Sequence, residues 1–229
     1  MSAVALTAAV MQPYFFPYAG YFRLFAAADI FVIYDCVQFP RRGRVHRCEV
    51  PGPSGELEWL TLPLAQQPRD VLIRDLAFAS DARAELGRRL MRLPWIASAE
   101  GPMAGAVMDY LNGDLVNVID FLESGLRLVT GLLGIECEIV RSSSLDIEPE
   151  LRGQERIIAI TKAIGASRYV NAPGGRDLYD RSTFEAKGLE LCFLPTHHGR
   201  HRSILPQLLS ETTAQVRSEI LTQTRLEPA

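Results

Sequence analysis

Asp35 and Gln38 are the first residues whose type and position suggest chemistry, because they directly follow an apolar run, Ile30-Phe31-Val32-Ile33-Tyr34. A carboxylate there can accept hydrogen bonds from sugar hydroxyls, hold an amine, or take the amine's proton as a general base. A turn-forming aspartate explains the same residue without chemistry. Gln12 stands in the matching place after an earlier apolar run, Ala3 to Met11. Ligands of open α/β sheets bind outside the carboxyl ends of the strands, so Gln12, Asp35 and Gln38 are expected to form one wall of a small-molecule site.

Further groups could complete such a site. Arg41, Arg42, Arg44, His46 and Arg47 form a basic cluster. In an extended chain Arg41 and Arg47 face one way and Arg42, Arg44 and His46 the other. A solvated face is the usual origin of such a run. Arg47 is the best placed to grip a phosphate or carboxylate through its two-pronged guanidinium. Asn171-Ala172-Pro173-Gly174-Gly175-Arg176-Asp177-Leu178-Tyr179 reads as a strand, a glycine loop and a helix start. Backbone amides of such a loop can cradle an anion, with Asn171 and Tyr179 adding side-chain contacts, although a tight turn also explains the glycines. His197, His198 and His201 invite a metal or acid/base reading, but no matching His or Cys pattern accompanies them. A solvated loop is the simpler account. His46 and His198 are the candidate acid/base histidines beside Asp35, and no metal is expected.

Six aromatic rings lie between Tyr14 and Phe22, with Pro13 and Pro17 fixing the backbone around them. Phe15, Phe16 and Phe22 suit core packing. Tyr14, Tyr18 and Tyr21 carry hydroxyls that need partners when buried, and at least one is expected to line the pocket. Tyr18-Ala19-Gly20-Tyr21 also stands where a nucleotidyl transferase carries a His-x-Gly-His turn, with both histidines replaced by tyrosine.

The elements that must position these groups follow from periodicity. The run up to Met11 and Ile30 to Tyr34 read as strands buried on both faces, with a helix over Gly20 to Ala28 between them. Strands over Arg44 to Val50, Leu57 to Leu64 and Val71 to Phe78 suggest an antiparallel meander. A helix follows Ser80 and Asp81, and a longer one spans Asp114 to Leu133, closed by Gly134. Strands at Ile135 to Val140, Tyr169 to Asn171 and Leu189 to Leu194 alternate with helices at Glu150 to Gly165 and Leu178 to Gly188. Two short helices, Ile204 to Leu209 and Thr212 to Thr222, end the chain. The expectation is one α/β domain over 1–229 with a Rossmann-like, mostly parallel sheet. A β-rich insertion is expected at about 40–80 and a helical segment at about 80–133.

The 229 residues are 48% apolar and 22% charged, with a net charge of −3. Such a composition fits an ordinary globular protein and disfavours a nucleic-acid partner. Cys36, Cys48, Cys137 and Cys192 are too scattered for a structural zinc site or a disulfide scaffold. Met1-Ser2-Ala3 lacks the basic flank of a signal peptide, and no apolar stretch reaches about 18 residues, the length of a membrane span. A cytoplasmic protein acting on a small molecule is the expectation. The residues name no cofactor and no oligomeric state.

Gln12-Pro13-Tyr14-Phe15-x-Pro17, Gly20-Tyr21-Phe22, Asp35-x-Val37-Gln38-Phe39 and Arg47 resemble the opening of the WbqC-like protein family, and Gln12 to Pro17 runs without a gap. Trp59 to Pro63, Gly165-Ala166-Ser167-x-Tyr169, Gly174-Gly175, Tyr179 and Ser203-Ile204-Leu205 resemble its later blocks. The chain departs from the pattern at Met11, where the family often has His, and at His46, where it often has Asn. Its block after Leu205 is also shorter. The resemblance implies a role in making surface polysaccharide or specialised metabolites, often alongside sugar aminotransferases. Joined to the polar strand ends, it leads to a transferase that N-acylates an amino sugar or amino-acid-like substrate. That substrate could be phosphate-bearing or carried on a protein. The alternatives are a nucleotidyl or sugar-nucleotide transferase and a non-catalytic partner of a biosynthetic enzyme.

Overall fold

The computed structural model describes residues 5–229. Ala3, Val4 and the Met1-Ser2-Ala3 start, on which the signal-peptide reading rests, lie outside the described residues. The first strand, β1 (Thr7–Met11), pairs in parallel with β2 (Ile30–Ile33). Both are buried on both faces because both alternating sets of side chains are apolar. Ala9, Phe31 and Ile33 join one core, while Val10, Ile30 and Val32 join another on the opposite face.

Between β1 and β2 the chain forms a 3-10 turn over Ala19–Phe22 and a short helix, α1 (Arg23–Ala27). The segment after β2 is the insertion. It holds the hairpin β3 (Arg47–Pro51) and β4 (Leu57–Thr61), then α2 (Ala82–Met91), α3 (Pro94–Ala97), α4 (Ala104–Asn112) and α5 (Val118–Leu132). Asn117 caps α5 by accepting from the amides of Ile119 and Asp120, and Gly134 adopts a φ of 59° just beyond its end. The chain then rejoins the main sheet with β5 (Glu138–Arg141), α6 (Gly153–Ala163), β6 (Arg168–Asn171), α7 (Arg181–Ala186) and β7 (Glu190–Phe193). Two helices, α8 (Leu205–Ser210) and α9 (Thr213–Leu221), and a two-residue strand, β8 (Glu227–Pro228), complete it.

The main sheet runs β5-β2-β1-β6-β7-β8, parallel except for β8, and β3-β4 form a separate antiparallel pair. The expected α/β class with a mostly parallel sheet is therefore the observed one. From β1 the chain builds outward through β2 to β5, then returns to the other side of β1 at β6. This reversal opens a crevice at the carboxyl ends of β1 and β6. Helices α6 and α7 cover one face of the sheet through Ile157, Ile158, Ile160 and Phe184. The other face packs against α1, α5, α8, α9 and the inner side of the hairpin.

The expected three-stranded meander is corrected to a hairpin. Val71 to Phe78 buries Ile73 and Leu76, three residues apart, around a 3-10 turn over Ile73–Asp75. A strand needs a spacing of two. The segment touches its neighbours through isolated bridges, Gln38 with Leu72 and Leu64 with Phe78. Among the described residues no helix is long and apolar enough to cross a membrane.

Candidate functional site

The crevice at the strand reversal is a cavity of about 460 Å³. Its floor is apolar: Val10, Met11, Leu24 and Ile157. Its walls carry Gln12 from the end of β1, Tyr34 from the end of β2, Asn171 from the end of β6, and Tyr14, Tyr18, Tyr21 and Tyr179. The loop through Pro173, Gly174 and Gly175 closes one side. Among the described residues no Asp, Glu, Lys, Arg or His lines it.

The aromatic turn that supplies three of these tyrosines is held from outside. Phe16 is buried at a φ of 40°, a region that non-glycine residues occupy only when their surroundings impose it. Ser203 Oγ donates to the Phe16 carbonyl at 2.8 Å, Ile204 N to the Pro17 carbonyl at 2.9 Å, and Phe15 N to the Arg44 carbonyl at 3.1 Å. Inside the turn, Tyr21 OH donates to the Gln12 carbonyl at 2.7 Å and so fixes where Gln12 leaves β1. Gly20 is required by crowding. A Cβ there would lie 2.7 Å from His197 Cγ and would collide with the Tyr18 ring.

Asn171 is buried, and its Oδ1 accepts from its own neighbour, Ala172 N, at 2.7 Å. Its amide nitrogen packs where a Cβ on Gly175 would have to go, so the glycine makes room for the asparagine. Burial raises the pKa of Tyr14 and Tyr18 above the ordinary phenol value, against the opposing pull of Arg44 on both and of Arg23 on Tyr18. Burial, followed by nearby Cys36, pushes Tyr34 up to about 12. These groups are neutral phenols at physiological pH, able to donate and accept hydrogen bonds.

Eight of the residues singled out in the sequence meet in this cavity: Gln12, Tyr14, Tyr18, Tyr21, Asn171, Gly174, Gly175 and Tyr179. Five lie elsewhere. Asp35 is fully buried behind the strand ends. Its Oδ1 accepts from Ser142 Oγ and Ser143 N at 2.9 Å each, and its Oδ2 from Ser143 Oγ at 2.5 Å. That carboxylate ties the end of β2 to the end of β5 and does not face the cavity. Gln38 is exposed and donates to the Arg69 carbonyl at 2.9 Å. Arg47 donates to the carbonyls of Gly43 and Arg42 and stacks 4.2 Å over the Trp59 ring. Residues 41–46 turn before β3 begins, so the expected alternation of the basic cluster does not apply.

His46 borders a second cavity of about 450 Å³ with Arg41, Asp81, Glu85 and Arg89. Burial, then Arg47, lowers its pKa to about 4. His198 is exposed, its backbone bonded to the Gln223 side chain. The histidine beside the candidate site is instead His197, buried against Tyr18 with ring centroids 5.5 Å apart. Its neighbours are His201, and Glu219 at 3.6 Å, and burial lowers its pKa.

Sequence reasoning did not single out Tyr34, and among the three clustered histidines it placed His198 rather than His197 at the site. Tyr34 was within reach, since it is the last apolar residue before Asp35. Nothing in Thr196 to His201 tells which histidine turns inward. In the turn with His-x-Gly-His spacing, Tyr21 donates its hydroxyl to the Gln12 carbonyl, while Tyr18 lines the cavity. Among the described residues no three His, Cys, Asp or Glu side chains are grouped to hold a metal ion.

The sequence model of the WbqC-like protein family matches residues 12–204, from Gln12 at the cavity to the Ile204 that pins the aromatic turn. The "Uncharacterized protein Rv1507c" of Mycobacterium tuberculosis (strain ATCC 25618 / H37Rv) is similar, with 27% identity over 180 residues, or 77% of each chain. No solved structure matches. By the extent of that match, the chain belongs to the WbqC-like protein family.

Proposed function

We propose that this protein is a transferase of surface-polysaccharide or specialised-metabolite biosynthesis that N-acylates an amino sugar or amino-acid-like substrate held in the cavity between β1 and β6. The observation that carries this reading is the lining itself. It combines five tyrosines, Gln12 and Asn171 over an apolar floor, with no charged side chain. Aromatic faces pack against the C–H face of a sugar ring, while phenol and amide groups meet its hydroxyls.

The absence of charge also suits the chemistry. An amine attacks an acyl group only in its neutral form. A cavity with an apolar floor and no carboxylate disfavours the ammonium, which raises the reactive fraction. Arg44 does not line the cavity and pairs with Glu49 at 3.5 Å, but its charge acts on Tyr14 and Tyr18, and it would attract a phosphate or a carrier group extending outward. Arg47, stacked on Trp59, stands beyond it in the same basic cluster.

The test is equilibrium binding of N-acetylglucosamine, glucosamine and their nucleotide-linked forms to the wild-type chain and to Gln12→Ala. The side chain of Gln12 has no protein partner among the described residues, so its loss should weaken binding about tenfold, the worth of one hydrogen bond of about 1.4 kcal/mol. Equal affinity in both proteins, or no binding of any sugar, would contradict the reading.

A further inference from the structure

Behind Tyr34, outside the cavity, four side chains converge: Cys36, Ser142, Asp35 and Arg156. Cys36 Sγ lies 2.9 Å from Ser142 Oγ, and Ser142 Oγ lies 2.9 Å from Asp35 Oδ1. The direction of these bonds follows from proton counting. An ionised carboxylate only accepts and a hydroxyl has one proton, so Ser142 donates to Asp35. Ser142 Oγ therefore receives the S–H of Cys36, together with longer contacts from the amides of Asp35 and Cys36 at 3.2 and 3.4 Å. The chain Cys36 S–H to Ser142 O–H to Asp35 carboxylate is a proton path with one sense.

Arg156, on α6, approaches the same sulfur from the other side, with Nη2 at 3.1 Å. It is only 9% exposed, and among the described residues it pairs with no carboxylate and its Nε has no partner. Its other contacts are the carbonyls of Glu148 and Leu151 at 3.3 and 3.4 Å. A buried guanidinium costs free energy unless something offsets its charge. The Asp35 carboxylate stands one hydroxyl away through Ser142, and the atom that Arg156 Nη2 meets directly is the Cys36 sulfur. The other titratable groups near this edge of the cavity are Tyr34, Arg152 and Tyr179. Cys36 and Cys137 are half-buried, whereas Cys48 and Cys192 are buried. Burial pushes the thiols of Cys48 and Cys137 up to about 12 and that of Cys192 to about 11.

We propose that Cys36 is the reactive thiol of this chain and accepts an acyl group from a thioester donor, with Ser142, Asp35 and Arg156 as its positioning residues. In the step, the Cys36 sulfur forms a bond to the donor carbonyl carbon as the bond from that carbon to the donor sulfur breaks. The Cys36 proton passes to Ser142 as the Ser142 proton passes to Asp35, and the departing thiolate takes a proton back along the same path. For the substrate amine to attack it, the acyl group on Cys36 has to reach past Tyr34, the residue between the thiol and the cavity; the amine then loses its proton to the departing Cys36 sulfur, which restores the thiol. The acyl step rests on the transferase reading above; the reactivity of the thiol does not.

The experiment is alkylation of the full-length protein by iodoacetamide across about pH 5 to 9, read residue by residue by mass spectrometry. Cys36 should label about tenfold faster than glutathione near pH 6.5, as thiols facing a cation do. Arg156→Gln should move its rate profile to higher pH, and Ser142→Ala should slow it. Labelling of Cys36 no faster than glutathione overturns the proposal and needs no variant. So does a profile unchanged in both variants. A second arm uses phenyl thioacetate, which should leave an acetyl group on Cys36. Fast alkylation without acetylation would overturn the acyl step and leave sugar binding in the cavity untouched. Fast alkylation and acetylation in a protein that binds no sugar would support the thiol and remove the substrate reading.

Discussion

Two of the protein's cavities, of about 460 and 450 Å³, are built on opposite principles. The one between β1 and β6 has no charged lining and sits where the strand order reverses. The one in the insertion is lined by Arg41, His46, Asp81, Glu85 and Arg89 and lies beside α2 and the hairpin. Charge is abundant in the second because it is already employed. Glu85 pairs with Arg89 at 2.7 Å and Arg88 at 2.5 Å, Arg89 also donates to the Thr61 carbonyl, and Arg41 donates to the carbonyls of Gln67 and Pro68. These contacts fasten the insertion together. In the first cavity Gln12 and the Asn171 amide nitrogen have no protein partner among the described residues, and such groups are available to a ligand. A crowd of charged residues marks a strut as readily as a site.

Substitutions can break that contrast, and the largest effect should come from Asp35. Asp35→Ala leaves the Ser142 and Ser143 donors without their buried acceptor. It should cost about 3 kcal/mol of stability, read as a lowered urea midpoint. If the chain is one domain, as we propose, the transition should stay single. Next come two glycines. Gly20→Ala forces a Cβ against Tyr18 and His197 and should destabilise by about 2 kcal/mol. Gly87→Ala, inside α2 with nothing within 4 Å of the added carbon, should stabilise by about 0.8 kcal/mol.

The smallest effect is on pH dependence. His46 stays neutral in the fold down to about 4, but in the unfolded chain it takes up a proton near its ordinary value of 6.5. The unfolded state therefore binds more protons between those values. Stability is fully retained above about 6.5 and declines as pH falls toward 4. The melting temperature should fall over that window, and His46→Gln should flatten the slope.

Much of the fold was legible because the sheet strands obey a simple rule. Ile30 to Ile33 and the run ending at Met11 are apolar on both faces, as strands of a covered, mostly parallel sheet are, although periodicity alone does not separate the first run from a buried helix. The cavity was legible for the same reason, since Gln12 and Asn171 end strands that flank the reversal. The rest was hidden by long-range contacts. Asp35 also ends a strand, but its carboxylate meets Ser142 and Ser143, more than a hundred residues away. The spacing of Val71 to Phe78 looks like a strand until the burial of Ile73 and Leu76 reveals a turn. His197 turns inward, rather than His198, because Gly20 and Gly199 leave room for its ring. Two separate glycine positions carry no such message when read along the chain.

The most direct test is ligand-induced thermal stabilisation of three proteins, the wild type, Gln12→Ala and Arg89→Ala, by an amino-sugar ligand. A ligand at about 100 times its dissociation constant adds about 2.7 kcal/mol to native-state stability. The account predicts that shift in the wild type and in Arg89→Ala, and a clearly smaller one in Gln12→Ala at the same ligand concentration. A shift lost in Arg89→Ala and kept in Gln12→Ala would move the site to the charged cavity of the insertion and contradict the account.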